Sequence, residues 1–262
     1  MKAEDLLEHV DFVDSFKRYG RVKRVVGLMI ESQGPESSIG DVCFIHVGTK
    51  KKRKIQAEVV GFQDENVILM PYTSIHDISP GSLVETTMKP LEIKAGPGLI
   101  GKVVDSLGVP LDQSSLPKGL ASVPTEQDPP NPLSRPPISE PIEVGVRMID
   151  SLLTVGSGQR VGIFAGSGVG KSTLLGMIAR NTTADLNVIG LIGERGREVR
   201  EFIERDLGPE GLKRSIVVVA INARVYFDHA KFIFYSGKND SKNGCILMGV
   251  YCDNQNTSAS SS

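Results

Sequence analysis

Residues 165–172 read AGSGVGKS, a glycine-rich run that ends in a lysine and a serine. Its three glycines permit backbone conformations in which successive N–H groups point into one concavity, which suits phosphate oxygens. Lys171 adds a compact positive charge for β- and γ-phosphates, and the Ser172 hydroxyl can coordinate Mg²⁺. We favour this phosphate-binding loop over a glycine-rich turn without a ligand, because a strand is predicted before it and a helix after it.

A carboxylate follows the next predicted strand, in the run LIGERGREVREF of residues 191–202. Glu194 comes just past the strand, and ligands of open α/β sheets bind at the carboxyl ends of strands. There a carboxylate can orient a water for in-line attack on a γ-phosphate. Arg195 and Arg197 could hold phosphate or reach a neighbouring subunit. Alone, such a turn is more often an exposed helix entry, but its place one β-α unit after the phosphate loop favours the catalytic interpretation.

The elements around these residues form an alternating pattern. Apolar β-rich runs predict buried parallel strands over residues 160–164, 187–192 and 215–220. Helical patterns cover residues 171–181 and 197–207. The order β-α-β-α-β is typical of a parallel sheet with crossover helices.

The first half of the chain has a different pattern. Residues 20–87 hold short β-rich runs separated by turn residues, which predicts a small β-barrel or sandwich. Before them, apolar spacing predicts an amphipathic helix over residues 3–17, which could pack on its own domain, on a partner or on a membrane surface. The basic run KKRK at 51–54 has no aromatic neighbours, so it fits a solvated hairpin loop better than a nucleic-acid patch. The proline-rich run 124–137 predicts a connector.

The composition limits the class of protein. With 40% apolar and 23% charged residues, the 262-residue chain is typical of a soluble globular protein, and a net charge of −1 gives no basic field for nucleic acid. Its apolar runs are too short to span a bilayer, and acidic residues interrupt the apolar pattern of the N-terminus, so no secretory signal is predicted. The three cysteines lack metal-ligand spacing, and we expect reduced thiols in a cytoplasmic protein.

Three stretches resemble the flagellum-specific ATPase of the bacterial type III export apparatus, a relative of the catalytic subunit of rotary ATP synthases. They read GPGLIGKVVDSLGVPLD, PPNPLSRPPISEPIEVGVRMIDSLLTVGSGQRVGIFAGSGVGKSTLLGMIAR and LIGERGREVREFIERDLGPEGLKRSIVVVA. The combination of FAGSGVGKS with GERGREV is specific to the export-ATPase branch. A rotary ATP synthase subunit is the weaker alternative, since GERTREG is expected there, and a virulence-type secretion ATPase shares almost all of these motifs.

The resemblance implies an N-terminal β-barrel that helps form a homo-hexameric ring, followed by an α/β P-loop (RecA-like) ATPase core. It implies ATP and Mg²⁺ as ligands, with hydrolysis that energises the export of flagellar proteins. The N-terminal helix matches the region that is associated with an export-apparatus regulator and the membrane export gate, at the inner face of the cell membrane. Nucleic acid is not an expected partner.

The family's site residues transfer one by one. The catalytic glutamate falls on Glu194, with Lys171 and Arg195 as further catalytic residues and Ser172 as the metal ligand. The nucleotide-binding residues are Ala165, Gly166, Ser167, Gly168, Val169, Gly170, Lys171, Ser172 and Thr173.

The resemblance ends at Ala220, and a frameshift or an early stop explains this. The expected segments are an N-terminal amphipathic helix (1–19), a β-barrel (20–90), a connector (91–141), a partial ATPase core (142–220) and a divergent tail (221–262). We expect a core that is incomplete at its C-terminus, with an unpaired sheet edge, uncovered apolar faces and impaired hydrolysis. The alternative is a non-catalytic fragment that binds partners or assembles through its barrel and helix. The apolar run that ends in Asp253 is interpreted as a coincidental likeness to the family's magnesium-associated aspartate.

Overall fold

The computed structural model describes residues 17–48, 53–73, 75, 77–125, 131, 133, 137–164, 168–220 and 245–251. The chain divides into two structural units, Met1–Leu91 and Glu92–Ser262. The helix predicted near the N-terminus lies outside the described residues except at Lys17. None of the helices in the described part of the chain is long and apolar enough to span a lipid bilayer.

The first unit contains a closed barrel of six antiparallel strands, which confirms the predicted barrel. The strands are β1 (Tyr19–Val26), β2 (Met29–Gln33), β3 (Asp41–Val47), β4 (Arg53–Gln63), β5 (Asn66–Pro71) and β6 (Leu83–Pro90). Their order around the barrel is β1-β2-β5-β4-β3-β6, and β6 closes the barrel on β1. The β-rich run of residues 24–32 forms parts of two strands, because Gly27 turns the chain with a φ of 61°.

The barrel forms because apolar residues alternate along its strands. In β4, for example, Ile55, Ala57 and Val59 are buried, while the residues between them are less buried. Because side chains alternate with a period of two, one set of apolar side chains lies inside the closed barrel. This barrel core consists of Val22, Ile30, Cys43, Ile45, Val47, Ile55, Ala57, Val59, Val67, Leu69 and Val84.

A buried carboxylate, Glu85 of β6, joins several barrel segments and is only 7% exposed. It accepts hydrogen bonds from Lys17 Nζ at 2.7 Å and Lys54 Nζ at 2.8 Å, and His46 Nε2 lies 2.9 Å from the same carboxylate. Residues 51–54 were predicted to form a solvated hairpin loop. The last two of these residues instead begin β4, and the first two lie outside the described residues.

The second unit contains a four-stranded parallel sheet, which confirms the predicted sheet class. Its strands are β8 (Val103–Asp105), β10 (Leu186–Ile192), β11 (Ser215–Ala220) and β12 (Cys245–Tyr251). The order is β12-β10-β11-β8, and a separate antiparallel pair consists of β7 (Glu92–Ala95) and β9 (Ala121–Pro124). The helical elements are a 3₁₀ turn (Pro97–Leu99), α1 (Arg147–Leu152), α2 (Lys171–Asn181), α3 (Gly196–Glu201), a π-helix (Phe202–Leu207) and α4 (Gly208–Lys213).

Most of the predicted elements of this unit are confirmed. Helix α2 and strand β11 have the predicted bounds, and β10 begins one residue earlier than predicted. The helix predicted over residues 197–207 begins at Gly196 and changes to π geometry at Phe202.

The prediction of a strand over residues 160–164 is wrong. These residues belong to no strand that the structure describes, and Phe164 is 97% exposed. On the sheet, the edge of β11 that faces away from β10 is occupied by β8, whose Val103 pairs with Val217. A short segment from the predicted connector therefore fills the position beside β11.

The expectation of uncovered apolar faces is also wrong for the two central strands, β10 and β11. One face packs against α2, α3 and the π-helix through Leu175, Ile178, Val199 and Phe202. On the opposite face, residues of the two strands pack against Ile93 and Leu99 and beside Val104 of β8, all three of which were predicted to lie in the connector. Burial on both faces explains why these strands are continuous apolar runs.

Strand β12 comes from the apolar run that precedes Asp253. It pairs in parallel with β10, from Leu186 opposite Cys245 to Ile192 opposite Tyr251. The run is therefore a strand of the sheet, and it pairs with the edge of β10 that faces away from β11. Asp253 itself lies outside the described residues, so its interpretation stays a prediction.

Candidate functional site

The described end of the phosphate loop leads directly into helix α2. Gly168 and Gly170 have φ values of 77° and 94°, a left-handed conformation that disfavours larger residues. Gly170 caps the N-terminus of α2, and Lys171, Ser172 and Thr173 form its first turn. The first backbone N–H groups of an α-helix have no partner within the helix, which leaves them available to an anion. The first three residues of the predicted loop, Ala165, Gly166 and Ser167, lie outside the described residues.

Glu194 lies in a tight turn between β10 and α3. Gly193, with a φ of 72°, follows the last residue of β10, and its N–H donates a 2.8 Å hydrogen bond to the carbonyl of Ala220 in β11. This bond fixes the turn to the carboxyl ends of both central strands. Glu194 is buried, whereas Arg195, the N-cap of α3, is exposed.

A small pocket connects the two predicted parts of the site. Its volume is about 10 Å³, close to the smallest space that holds one water molecule. It is lined by Ser172, Leu191, Glu194, Glu198, Val199 and Phe202. The structure therefore brings Ser172 and Glu194 together, while Lys171 and Arg195 are not among the lining residues.

Four lining residues were not predicted from the sequence. Glu198 follows Glu194 by four residues, a spacing that could have suggested a second carboxylate on the same side of the turn and helix. Leu191, Val199 and Phe202 are the apolar lining residues. Nothing in the local sequence distinguishes an apolar residue that lines a pocket from one in the core.

The pocket combines oxygen donors with apolar side chains. Its oxygen-bearing residues are Ser172, Glu194, which is buried, and Glu198, which is exposed. Such oxygen ligands suit a hard cation such as Mg²⁺, which usually keeps several waters and binds substrate phosphates as well. Among the described residues, no group of three or more His, Cys, Asp or Glu side chains forms a metal site.

Two contacts hold α2 against the π-helix. The Thr173 hydroxyl donates a hydrogen bond of 3.3 Å to Asp206 Oδ1. One turn further, Gly176 lies so close to the π-helix that an added Cβ would be 2.5 Å from the carbonyl oxygen of Asp206. A side chain at that position would separate the two helices, so the glycine sets their spacing.

Two domain profiles of one protein family match the sequence. The profile of the nucleotide-binding domain of the ATP synthase alpha/beta family matches residues 145–236. The beta-barrel domain of the same family matches residues 22–88. The two matches together cover more than half of the chain.

Curated relatives share much of the sequence. The chain is 66% identical over 220 residues to the flagellum-specific ATP synthase of Bacillus subtilis, covering 84% of this chain and 50% of the relative. It is 46% identical over 217 residues to the type 3 secretion system ATPase of Xanthomonas euvesicatoria, covering 82% of this chain and 48% of the relative. The chain thus spans about half the length of the curated relatives it matches.

Solved structures agree with the fold. The assembled ATPase EscN from the type III secretion system of enteropathogenic E. coli gives a TM-score of 0.73 at 34% identity, over 88% of this chain and 56% of that chain. EscN in complex with its central stalk EscO gives 0.75 at 35% identity, over 88% and 57%.

Proposed function

Because the chain belongs to the ATP synthase alpha/beta family, we propose that it binds and hydrolyses ATP to energise flagellar protein export. The observation that carries this proposal is the pocket shared by Ser172 of α2 and Glu194 after β10. A phosphate-binding helix start and a carboxylate beside one water-sized space are the parts that γ-phosphate hydrolysis needs.

We assign the reaction steps to the residues of this site as follows. The loop that ends at Gly170, together with the first turn of α2, cradles the phosphates through backbone N–H groups, and Lys171 neutralises the charge of the β- and γ-phosphates. Glu194 orients the attacking water toward the γ-phosphorus. Arg195 is exposed at the start of α3, where its guanidinium can contact phosphate or a neighbouring subunit.

Mg²⁺ would supply positive charge to the phosphates. The Ser172 hydroxyl, in the first turn of α2, is the ligand that we expect to hold it.

We further propose that the chain works in a homo-hexameric ring. The assembled EscN ATPase and its complex with a central stalk support an oligomer with partners. The regulator, the membrane export gate and the exported flagellar proteins are partners implied by the sequence resemblance, as is a position at the inner face of the cell membrane. Each of these stays a prediction, as does the impaired hydrolysis expected of this chain.

The test is a single-turnover assay in which protein exceeds γ-labelled ATP, because this format detects slow hydrolysis. Binding of a fluorescent ATP analogue is measured on the same samples. Lys171→Ala is expected to lower both affinity and phosphate release, since it removes the charge that binds the phosphates. Glu194→Gln is expected to keep binding and to lower release by at least about a hundredfold, because it removes the group that orients water.

Two other results would redirect the proposal. Binding that depends on Lys171 without any release above the Lys171→Ala background would support the non-catalytic alternative. The likeness to EscN favours a virulence-type secretion ATPase as the second candidate. Restored swimming of a flagellar ATPase deletion strain by this chain would favour the flagellar function, and restored effector secretion alone would favour the other.

A further inference from the structure

Six residues line the pocket beside Ser172, three of them polar and three apolar. The polar residues are Ser172, Glu194 and Glu198, and we call Leu191, Val199 and Phe202 the apolar wall. At about 10 Å³ the space holds a single water and no more. The apolar side chains offer that water no hydrogen-bond partner, so they limit its position by the space that they fill.

Phe202 is the largest residue of the apolar wall, and it lies where two helix types meet. It is 3% exposed, and it is both the first residue of the π-helix and the C-cap of α3. Its backbone N–H donates to the carbonyls of Glu198 and Val199, two other lining residues. A π-helix has a wider turn than an α-helix and is frequently found at functional sites. The change of geometry begins at the residue that closes the pocket.

The π-helix cannot move away from the pocket without breaking contacts to α2. Asp206 accepts a hydrogen bond from Thr173, the residue after Ser172, and its carbonyl lies against Gly176. Both contacts join the helix that carries Ser172 to the π-helix that begins at Phe202. The distance across the pocket is therefore fixed by the packing of α2 on the π-helix.

We propose that Phe202 is a positioning residue, which confines the attacking water to the one place where Glu194 can orient it. This inference rests on the proposed function, because it assigns a role within the same nucleotide site. Phe202 touches neither nucleotide nor phosphate in this role. It acts through the water, by removing the alternative positions that a larger pocket would offer.

The test compares two nucleotide complexes that differ in their need for that water. ADP with beryllium fluoride resembles the bound ground state, whereas ADP with aluminium fluoride resembles the transferring phosphoryl group with its in-line water. The affinity of the full chain for each complex is measured by isothermal titration, with Mg²⁺ present. Phe202→Ala is expected to weaken the aluminium fluoride complex about tenfold relative to the beryllium fluoride complex, roughly the effect of one hydrogen bond to a charged group.

Matched variants separate positioning from folding. Leu207→Ala truncates a fully buried residue of the same π-helix and the same core that does not line the pocket. It should lower the melting temperature as Phe202→Ala does, yet leave the affinity ratio within about twofold of wild type. Phe202→Leu should restore most of the ratio, because it refills most of the space. If Phe202→Ala does not fold, Val199→Ala makes a smaller opening in the same apolar wall and should shift the ratio in the same direction.

The possible results test the role of Phe202 separately from the proposed function. Equal weakening of both complexes by Phe202→Ala, or an equal ratio shift in Leu207→Ala, overturns the positioning role and leaves the proposed function intact. If Lys171→Ala binds both complexes as well as wild type does, the nucleotide does not occupy this site. That result overturns the proposed function and the role of Phe202 with it.

Discussion

The contacts of Glu85, the buried carboxylate of the barrel, determine how much its ionised form stabilises the fold. Hydrogen bonds from Lys17 and then from Lys54 lower the pKa of Glu85 from its ordinary value of 4.5 to about 2. The difference between these pKa values corresponds to about 3 kcal/mol of stability at neutral pH. Because the side chains of Lys17 and Lys54 are 68% and 47% exposed, solvent screens their charge, and we reduce the figure to about 2 kcal/mol.

The sign of the pH dependence follows from the lowered pKa. The ionised Glu85 stabilises the folded barrel at every pH above about 4.5, where the group is also ionised in the unfolded chain. As the pH falls from 4.5 toward 2, the unfolded chain gains a proton that the folded barrel does not bind, and the stabilisation is lost. Glu85→Gln should therefore lower the free energy of unfolding by about 2 kcal/mol at pH 7 and have little effect at pH 2.

Urea unfolding followed by pulsed hydrogen exchange and mass spectrometry provides the assay, since it resolves peptides of β3 and β6 from the second unit. Glu36→Gln is the matched control. Glu36 pairs with Arg18 at 2.7 Å but is 85% exposed, so its loss should cost less than about 0.5 kcal/mol. A Glu85→Gln effect that stays constant between pH 7 and pH 2, or one no larger than the control, would refute the reasoning.

Two further predictions concern a close contact between helices and the reactivity of a buried thiol. Gly176→Ala should destabilise the second unit by about 1–3 kcal/mol, because its Cβ would meet the Asp206 carbonyl. Gly196→Ala has open space around the new Cβ and should leave the melting temperature unchanged or raise it, and equal losses in both variants would contradict the close contact. Burial raises the pKa of the Cys43 thiol to about 11, so iodoacetamide at pH 8 should label it only as the barrel opens. Mapping of labelled peptides checks this, and labelling in buffer as fast as in urea would show an accessible thiol.

Strong local signals made several elements predictable. Helix α2 begins after a glycine in a left-handed conformation, and its observed bounds are those predicted. Strand β11 is a run of six buried residues, a pattern typical of a strand covered on both faces. In both cases the residues that define the element lie within the element itself.

Elements that depend on distant segments could not be predicted. Residues 160–164 have the apolar character of a strand, but β8 pairs with β11 from a position more than a hundred residues earlier in the chain. For the same reason, only two of the six residues that line the pocket were predicted. Ser172 and Glu194 belong to motifs, whereas the role of Phe202 depends on how the π-helix packs on α2, and no local pattern predicts that contact.

The strand order of the sheet has a consequence for synthesis on the ribosome. The barrel is complete once residue 90 has been made, and three of its six strand pairings join strands that are consecutive in the chain. Strand β8 leaves the ribosome soon afterwards, yet its partner β11 follows more than a hundred residues later. Because translation adds about 5–20 residues per second, β11 is made on the order of ten seconds after Val103 and Val104. During that interval Val103 and Val104 lack the strand that pairs with them in the folded protein.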